Sequence, residues 1–303
     1  MKLAIVTQNA RAGSKQIPDE FLILDAARAL GWDANAFPSP EIMDGCAPRW
    51  VPDVMLYTHA WTIPVQPRPN CKQVQWWFDL CWQDASKPLE QQARFRPDVM
   101  KSFDLVLMKE RGLFDAYRDA GINVAYMDQG CWPPLAFGIA ANHIEPEFNV
   151  GFAGGCYATG GRLDLIREVA KRWEVHVWSD HLKWSDEPVV QHDAQYNRAL
   201  AQTVPRCRIW LGTNGRNDVD GYWSNRTWEI LNAGGFLLSQ AVPGFTATVT
   251  FDDPTHACCL IETYLARSGQ RRGVSHEGQV NAWQRHTYCD RLLQMVRILG
   301  GVE

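Results

Sequence analysis

The chain has 303 residues, 46% of them hydrophobic and 21% charged, with a formal net charge of -4. That length suits two domains of about 150 residues each. The balance gives no global basic field for nucleic acid, and residues 1–150 are the more acidic half, with 14 Lys+Arg against 18 Asp+Glu. Nine scattered cysteines with no CxxC pair read as reduced thiols in a cytoplasmic chain, not as a disulfide framework or zinc site. His176, His181, His192 and His256 have no ligand spacing, so no metal is expected. The short apolar run at the N-terminus reads as a strand and not a signal peptide, and no stretch approaches a membrane span. Fourteen tryptophans are many, and burial is their commonest use.

In chain order, apolar runs alternate with helical patterns, the mark of α/β architecture. "LAIVTQ" reads as a strand, and "DEFLILDAARALG" as an amphipathic helix closed by Gly31. "DVMLYTH", "KQVQWWFD", "FDLVLMK" and "NVAYMD" read as strands, with the helix "ERGLFDAYRDAG" between the last two. At "EPEFNVGFAGG" the pattern restarts, followed by the helix "RLDLIREVAKR" and the strand "EVHVWS". A helix around "AQYNRALAQ", the strand "RIWLGTN", a helix through Glu229 and the strand "GFLLSQ" come next. "QVNAWQRHTYCDRLLQMVRIL" reads as one long helical pattern. The expectation is two Rossmann-like domains, residues 1–145 and 146–280, and a C-terminal helix over 281–303 that packs toward the first domain. Ligands of such open sheets bind beyond the carboxyl ends of the strands. That singles out His59, Asp79, Gln129, Gly154, Gly155, Ser179, Asn214 and the segment from Ser224.

"SNRTWEILNAGG" carries the sharpest chemistry. Ser224 reads as the helix cap, leaving the N–H groups that follow free for an anion. Arg226 opposes the helix dipole but offers a planar fork to phosphate oxygens. Glu229 falls one turn later, placed to accept ribose hydroxyls. The plainer reading, equally weighted, is an Arg226–Glu229 surface pair worth a few tenths of a kcal/mol. "GFAGGCYATGGRLDLI" sets glycines after a strand and Arg162 at a helix start, which suits a phosphate as well as it suits a simple turn. Arg162 and Arg226 together suit a pyrophosphate leaving group without a metal. Asp79 and His59 sit at strand ends where an acceptor or sugar would be met; a capping Asp and a structural His are the ordinary alternatives.

"WWFDL", "FDLVLMKERGLFDAYRDAGINVAYMDQGCWPP", "VGFAGG" followed by Arg162, "GYWSNRTWEILNAGGFLLSQAVPGF" and "HTYCDR" occur in an order that resembles the CgeB-like glycosyltransferases of the GT-B fold, related to the retaining group 1 transferases. The resemblance implies two Rossmann-like domains facing across a cleft. A nucleotide sugar (UDP-, GDP- or dTDP-linked) would lie on the second domain and an acceptor on the first. No cofactor or metal is implied. Carried over, Glu229 would hold the ribose, and Arg162 with Ser224, Asn225, Arg226 and Thr227 the pyrophosphate. Ser179 and its neighbours would lie near the base. By their places after strands, Gly154, Gly155 and Asn214 complete the donor-site candidates, and His59 and Asp79 are the candidates for the chemistry.

Two departures stand out. Gly221 occupies the place, eight residues before Glu229, where group 1 enzymes often carry a second Glu, and Trp132 replaces an Asp near the Pro after the Gln-Gly turn. They favour a rival of another class, a catalytically silent sugar-nucleotide binder or structural protein. For an enzyme, the acceptor is a saccharide, a small molecule or a hydroxymethylated base in viral DNA. DNA would need a local basic rim, for which Arg68, Lys72, Arg94 and Arg96 are the candidates.

Overall fold

The computed structural model describes residues 1–7, 19–46, 49–58, 65, 67–79, 81, 87–139, 145–157 and 161–300. The chain divides into two compact units, Met1–Gln129 with Tyr288–Glu303, and Gly130–Thr287. The division falls at 129/130 and 287/288, where the sequence reading placed it at 145/146 and 280/281.

The first unit runs β1 (Lys2–Thr7), α1 (Asp19–Ala29), β2 (Asp33–Phe37), α2 (Pro40–Cys46), β3 (Val54–Thr58), β4 (Lys72–Trp76), α3 (Pro97–Met100), β5 (Leu105–Met108), α4 (Phe114–Asp119) and β6 (Val124–Tyr126). Its sheet has the order β2-β1-β3-β4-β5-β6 with every pair parallel. Strands covered on both faces must be apolar throughout, and β3 and β5 are buried at every position. α1 carries Asp19 and Glu20 in its first turn and Arg28 in its last, both matched to the helix dipole, and stops before Gly31 at φ 78°.

The second unit runs β7 (Phe148–Ala153), α5 (Arg162–Ala170), β8 (Val175–Trp178), β9 (Val190–His192), α6 (Asn197–Thr203), β10 (Cys207–Gly212), α7 (Arg226–Asn232), β11 (Leu237–Gln240), β12 (Val249–Phe251), α8 (Pro254–Ala266) and α9 (Ser268–Arg285). The strand order is β12-β11-β10-β7-β8-β9, all parallel. The order therefore reverses between β7 and β10, the switch point of a doubly wound sheet. Its core gathers Val150, Ile166, Val177, Ile209, Leu238 and Ile261, each fully buried and each contributing roughly 1.5–3 kcal/mol. Trp184, Trp210 and Trp228 are buried too, and Trp210 Nε1 donates to the Val204 carbonyl (2.8 Å).

The final helical pattern is two helices, not one. α9 ends at Arg285, His286 leaves helical geometry at φ -132°, and α10 (Tyr288–Ile298) belongs to the first unit. The break is held: the His286 ring stacks on Trp228 (3.9 Å, 15°) and its carbonyl accepts the Cys131 N–H (2.8 Å). No helix among the described residues is long and apolar enough to cross a membrane.

At the β8–β9 edge, His176 Nδ1 and His192 Nε2 share one proton at 2.9 Å, and His192 stacks on Trp178. Burial, then His176 and Arg206, hold the His192 pKa below its ordinary value; Asp193 opposes them more weakly. Glu174 engages His176 Nε2 at 2.7 Å. Because the unfolded chain takes up the His192 proton first, stability falls as pH drops from about 6.5 through the folded-state pKa. The melting temperature should therefore decline between pH 7 and pH 5, and His192→Gln should flatten that decline. An identical pH slope in the variant would contradict this.

Candidate functional site

β7 ends in Ala153 and β10 in Gly212, side by side at the switch point. Beyond them lies a cavity of about 210 Å³ lined by Gly154, Gly155, Arg162, Thr213, Ser224, Arg226 and Thr227 among others. A second cavity of about 290 Å³ shares Gly154, Gly155 and Arg226 with it and continues to Tyr157, Ser179, His181 and Tyr196. The two form one groove along the carboxyl ends of β10, β7 and β8.

Arg162 opens α5 directly after Gly161, which is in the left-handed region. Its Nε donates to Thr213 Oγ1 (2.8 Å) and its Nη1 to the Gly155 carbonyl (2.7 Å). The guanidinium lies between the rings of Phe152 and Tyr157, at 5.4 and 5.5 Å. Both bonded acceptors are neutral, and burial pushes the arginine pKa below its usual range with no carboxylate among the groups opposing it. The site thus holds a cation that the described residues leave without a charge partner.

Arg226 is held differently. Its Nη1 bonds Glu229 Oε2 at 2.6 Å, with side chains 25% and 18% exposed, and its guanidinium lies 5.6 Å from the Tyr196 ring. The plainer expectation, an Arg226–Glu229 pair, is thus what the structure contains, while Arg226 also lines both cavities. α7 opens one residue later than expected: Asn225, not Ser224, occupies the capping position. Ser224 Oγ accepts the Arg226 N–H (3.3 Å), and the Ser224 N–H is anchored on Asn214 Oδ1 (2.8 Å). The hydroxyl still serves the helix start, from one position farther out.

Among the sequence candidates, the groove gathers Gly154, Gly155, Arg162, Ser179, Ser224, Arg226 and Thr227. Asn214, Asn225 and Glu229 are not among its lining residues. Ser179 is buried, its Oγ accepting the His181 N–H (3.1 Å). Gly221 has φ 81°, where a side chain is strained, so its backbone alone accounts for the glycine. The Trp132 carbonyl accepts from Asn232 Nδ2 (3.2 Å) at the end of α7.

In the first unit, His59 lies outside the described residues. Asp79 forms an ion pair with Arg94 (3.3 Å). The remaining basic candidates are also engaged: Arg68 with Asp44 (2.8 Å), Lys72 with Asp104 (3.6 Å) and Arg96 with Asp98 (2.8 Å). Each of the four cations proposed for a DNA rim is therefore matched by a carboxylate.

The sequence reading singled out Gln129 by its place after a strand but missed the buried polar cluster it belongs to at the carboxyl ends of this sheet. Lys109, 2% exposed, donates to Gln129 Oε1 (2.8 Å) and stands 3.8 Å from Asp128. Burial lowers its pKa, against the pull of Asp128. Gln129 Nε2 reaches Asp19 (3.1 Å), and Arg291 Nε donates to the Gln129 carbonyl (3.0 Å). At the β1/β3 ends, Glu20 is 1% exposed and accepts from the Thr7 and Thr58 hydroxyls (3.2 and 2.9 Å). The available signal was "LVLMKE", two charges straight after a fully apolar strand.

Residues 162–297 match a family described as glycosyl transferase-like. No curated protein matches the chain. Among solved structures it is similar to Anabaena HepE in complex with UDP and glucose, at 13% identity over 100% of each chain and a TM-score of 0.64. It is also similar to WaaG, a glycosyltransferase involved in lipopolysaccharide biosynthesis (12%, 99% of this chain and 100% of that one, TM-score 0.63). A trehalose-6-phosphate synthase studied for glycosyl transfer with retention aligns at 11% over 98% of each chain, TM-score 0.63. At such identities the structural likeness carries the fold. Together with two all-parallel six-stranded sheets, the structural matches give the chain the GT-B fold, and its residues 162–297 match the glycosyl transferase-like family.

Proposed function

We propose that the chain transfers a sugar from a nucleoside diphosphate sugar, bound in the β7–β10 groove, to an acceptor hydroxyl. The observation that carries this is Arg162: a half-buried guanidinium held by two neutral acceptors at the switch point, sharing its cavity with Arg226. Such a pair suits the charge that grows on a departing diphosphate. In HepE the bound molecules are UDP and glucose, which supports a nucleotide-sugar donor here.

In the reaction proposed, the acceptor oxygen bonds to the anomeric carbon while the bond from that carbon to the diphosphate oxygen breaks. The acceptor proton passes to the leaving phosphate oxygen on the same face, so configuration is retained. Arg162 and Arg226 neutralise the diphosphate, with no metal required. Glu229, one helical turn from Arg226, takes the ribose hydroxyls, and Asp79 and His59 serve the acceptor side. A saccharide or small-molecule acceptor suits the paired first-unit cations better than DNA does. Nine free cysteines suit a cytoplasmic setting.

The test is nucleoside diphosphate release from UDP-, GDP- and dTDP-sugars by the purified chain, with and without a chelator. Release from at least one donor, unchanged by the chelator, is expected. No release from any donor, despite binding, would mark a silent binder; loss of release with the chelator would overturn metal independence.

A further inference from the structure

We infer that Arg208, Arg271 and Arg272 form a binding site for a phosphoryl group, at the amino end of the second sheet. Arg208 and Asn149 stand at the second positions of the neighbouring strands β10 and β7, and Arg208 Nη1 donates to Asn149 Oδ1 (2.7 Å). α8 ends close by: its Tyr264 ring packs on Phe236 (4.6 Å), whose carbonyl accepts the Trp210 N–H of β10 (2.8 Å). Arg271, in the first turn of α9, reaches back to donate from Nη1 to the Tyr264 carbonyl. Arg272 follows it. The donor groove lies at the carboxyl ends of these same strands, so the two places are distinct.

Charge sets these three apart. Arg167 and Arg206, in the same unit, are matched by Glu187 (2.6 Å) and Glu147 (2.8 Å). Arg271 is 8% exposed, yet its side chain's one acceptor among the described residues is a neutral carbonyl. Burial, then Arg208 and Arg272, hold its pKa below the usual arginine range, and no carboxylate is among the groups acting on it. Arg208 meets a neutral amide oxygen, and Arg272 is exposed with no partner among the described residues. Bonding a last-turn carbonyl of α8 accounts for one arginine. It does not account for two more beside it. Arg271 and Arg272 also open a helix with no acidic residue in its first turn and no side-chain cap, where cations oppose the dipole. Like charges gathered this way repel unless an anion lies among them. Guanidinium forks fit phosphate oxygens, and a phosphate monoester carries about two negative charges, a better match to three cations than one carboxylate. The phosphoryl group belongs to a soluble compound or to a lipid headgroup, and the chemistry is the same.

Amide hydrogen exchange across residues 264–275 tests this in the parent, Arg272→Gln and Arg208→Gln. The local readout separates this site from phosphate held at Arg162 and Arg226. The probes are inorganic phosphate, chloride at matched ionic strength, and phosphatidylcholine vesicles with and without phosphatidic acid. Phosphate should slow exchange in this segment where chloride does not. Each variant should need about tenfold more phosphate for the same protection. Arg272→Gln should melt no lower than the parent without phosphate, because Arg272 is exposed and its loss relieves repulsion. Protection by phosphatidic acid vesicles, but not by phosphatidylcholine alone, places the phosphoryl group on a lipid. Protection by inorganic phosphate alone places it on a soluble compound. Exchange that neither phosphate nor phosphatidic acid changes would overturn the site. So would protection confined to the groove around Arg162, or protection that both variants keep at full strength.

Discussion

Arg162→Gln should cut turnover with every accepted donor by about a hundred- to a thousandfold. The melting temperature should hold or rise. The two effects separate because the guanidinium is half-buried, its pKa lowered by that burial, and bonded to Thr213 and Gly155 with no carboxylate opposing. A buried cation without a partner weakens a fold, and sites that hold one commonly exchange stability for activity. Arg162→Lys keeps the charge but loses the planar fork that reaches two acceptors at once, so it should recover only part of the activity. Steady-state kinetics beside thermal melts check this. Turnover that survives Arg162→Gln would remove the diphosphate from this cavity.

Lys109→Met should have the opposite character, a loss of about 3–5 kcal/mol in stability. Lys109 is 2% exposed and bonded to Gln129, with Asp128, itself 3% exposed, beside it. Removing the cation takes a charge partner from the buried Asp128 carboxylate, which keeps the Gln129 N–H (2.8 Å), and leaves Gln129 Oε1 without its donor, in a side chain that also links Asp19. Asp128→Asn added to Lys109→Met should restore part of the loss, since an amide does not carry the buried negative charge that Lys109 had balanced. Denaturant titration of the two single variants and the double completes the cycle. A single Lys109→Met variant as stable as the parent would show that the cluster contributes nothing to the fold.

How much could be read beforehand differs between strand types. The central strands, such as "LVLM" and "RIWLG", are apolar because both sheet faces are covered, and that pattern is visible in one dimension. β2, β9 and β12 were not foreseen: each lies at or next to a sheet edge, half-buried and polar enough to read as loop. α8 also went unread, although Asp253 caps it by accepting the His256 N–H and Pro254 starts it. The groove was legible through its glycines and arginines, because local rules tie glycine turns and helix starts to anions. Lys109 was not legible. Its partners lie 19 and 20 positions along the chain, on another strand end, and only the parallel pairing of β5 with β6 brings them together. Arg226 showed the limit of local reading in another way: its spacing to Glu229 fitted a pair and a ligand site equally, and the structure contains the pair.

The most direct measurement is a crystal structure of the chain with its tightest nucleoside diphosphate. Diphosphate oxygens should lie within hydrogen-bond distance of both Arg162 and Arg226, beyond the carboxyl ends of β7 and β10. A nucleotide seated elsewhere on the chain, with neither guanidinium touching its phosphates, would contradict the account.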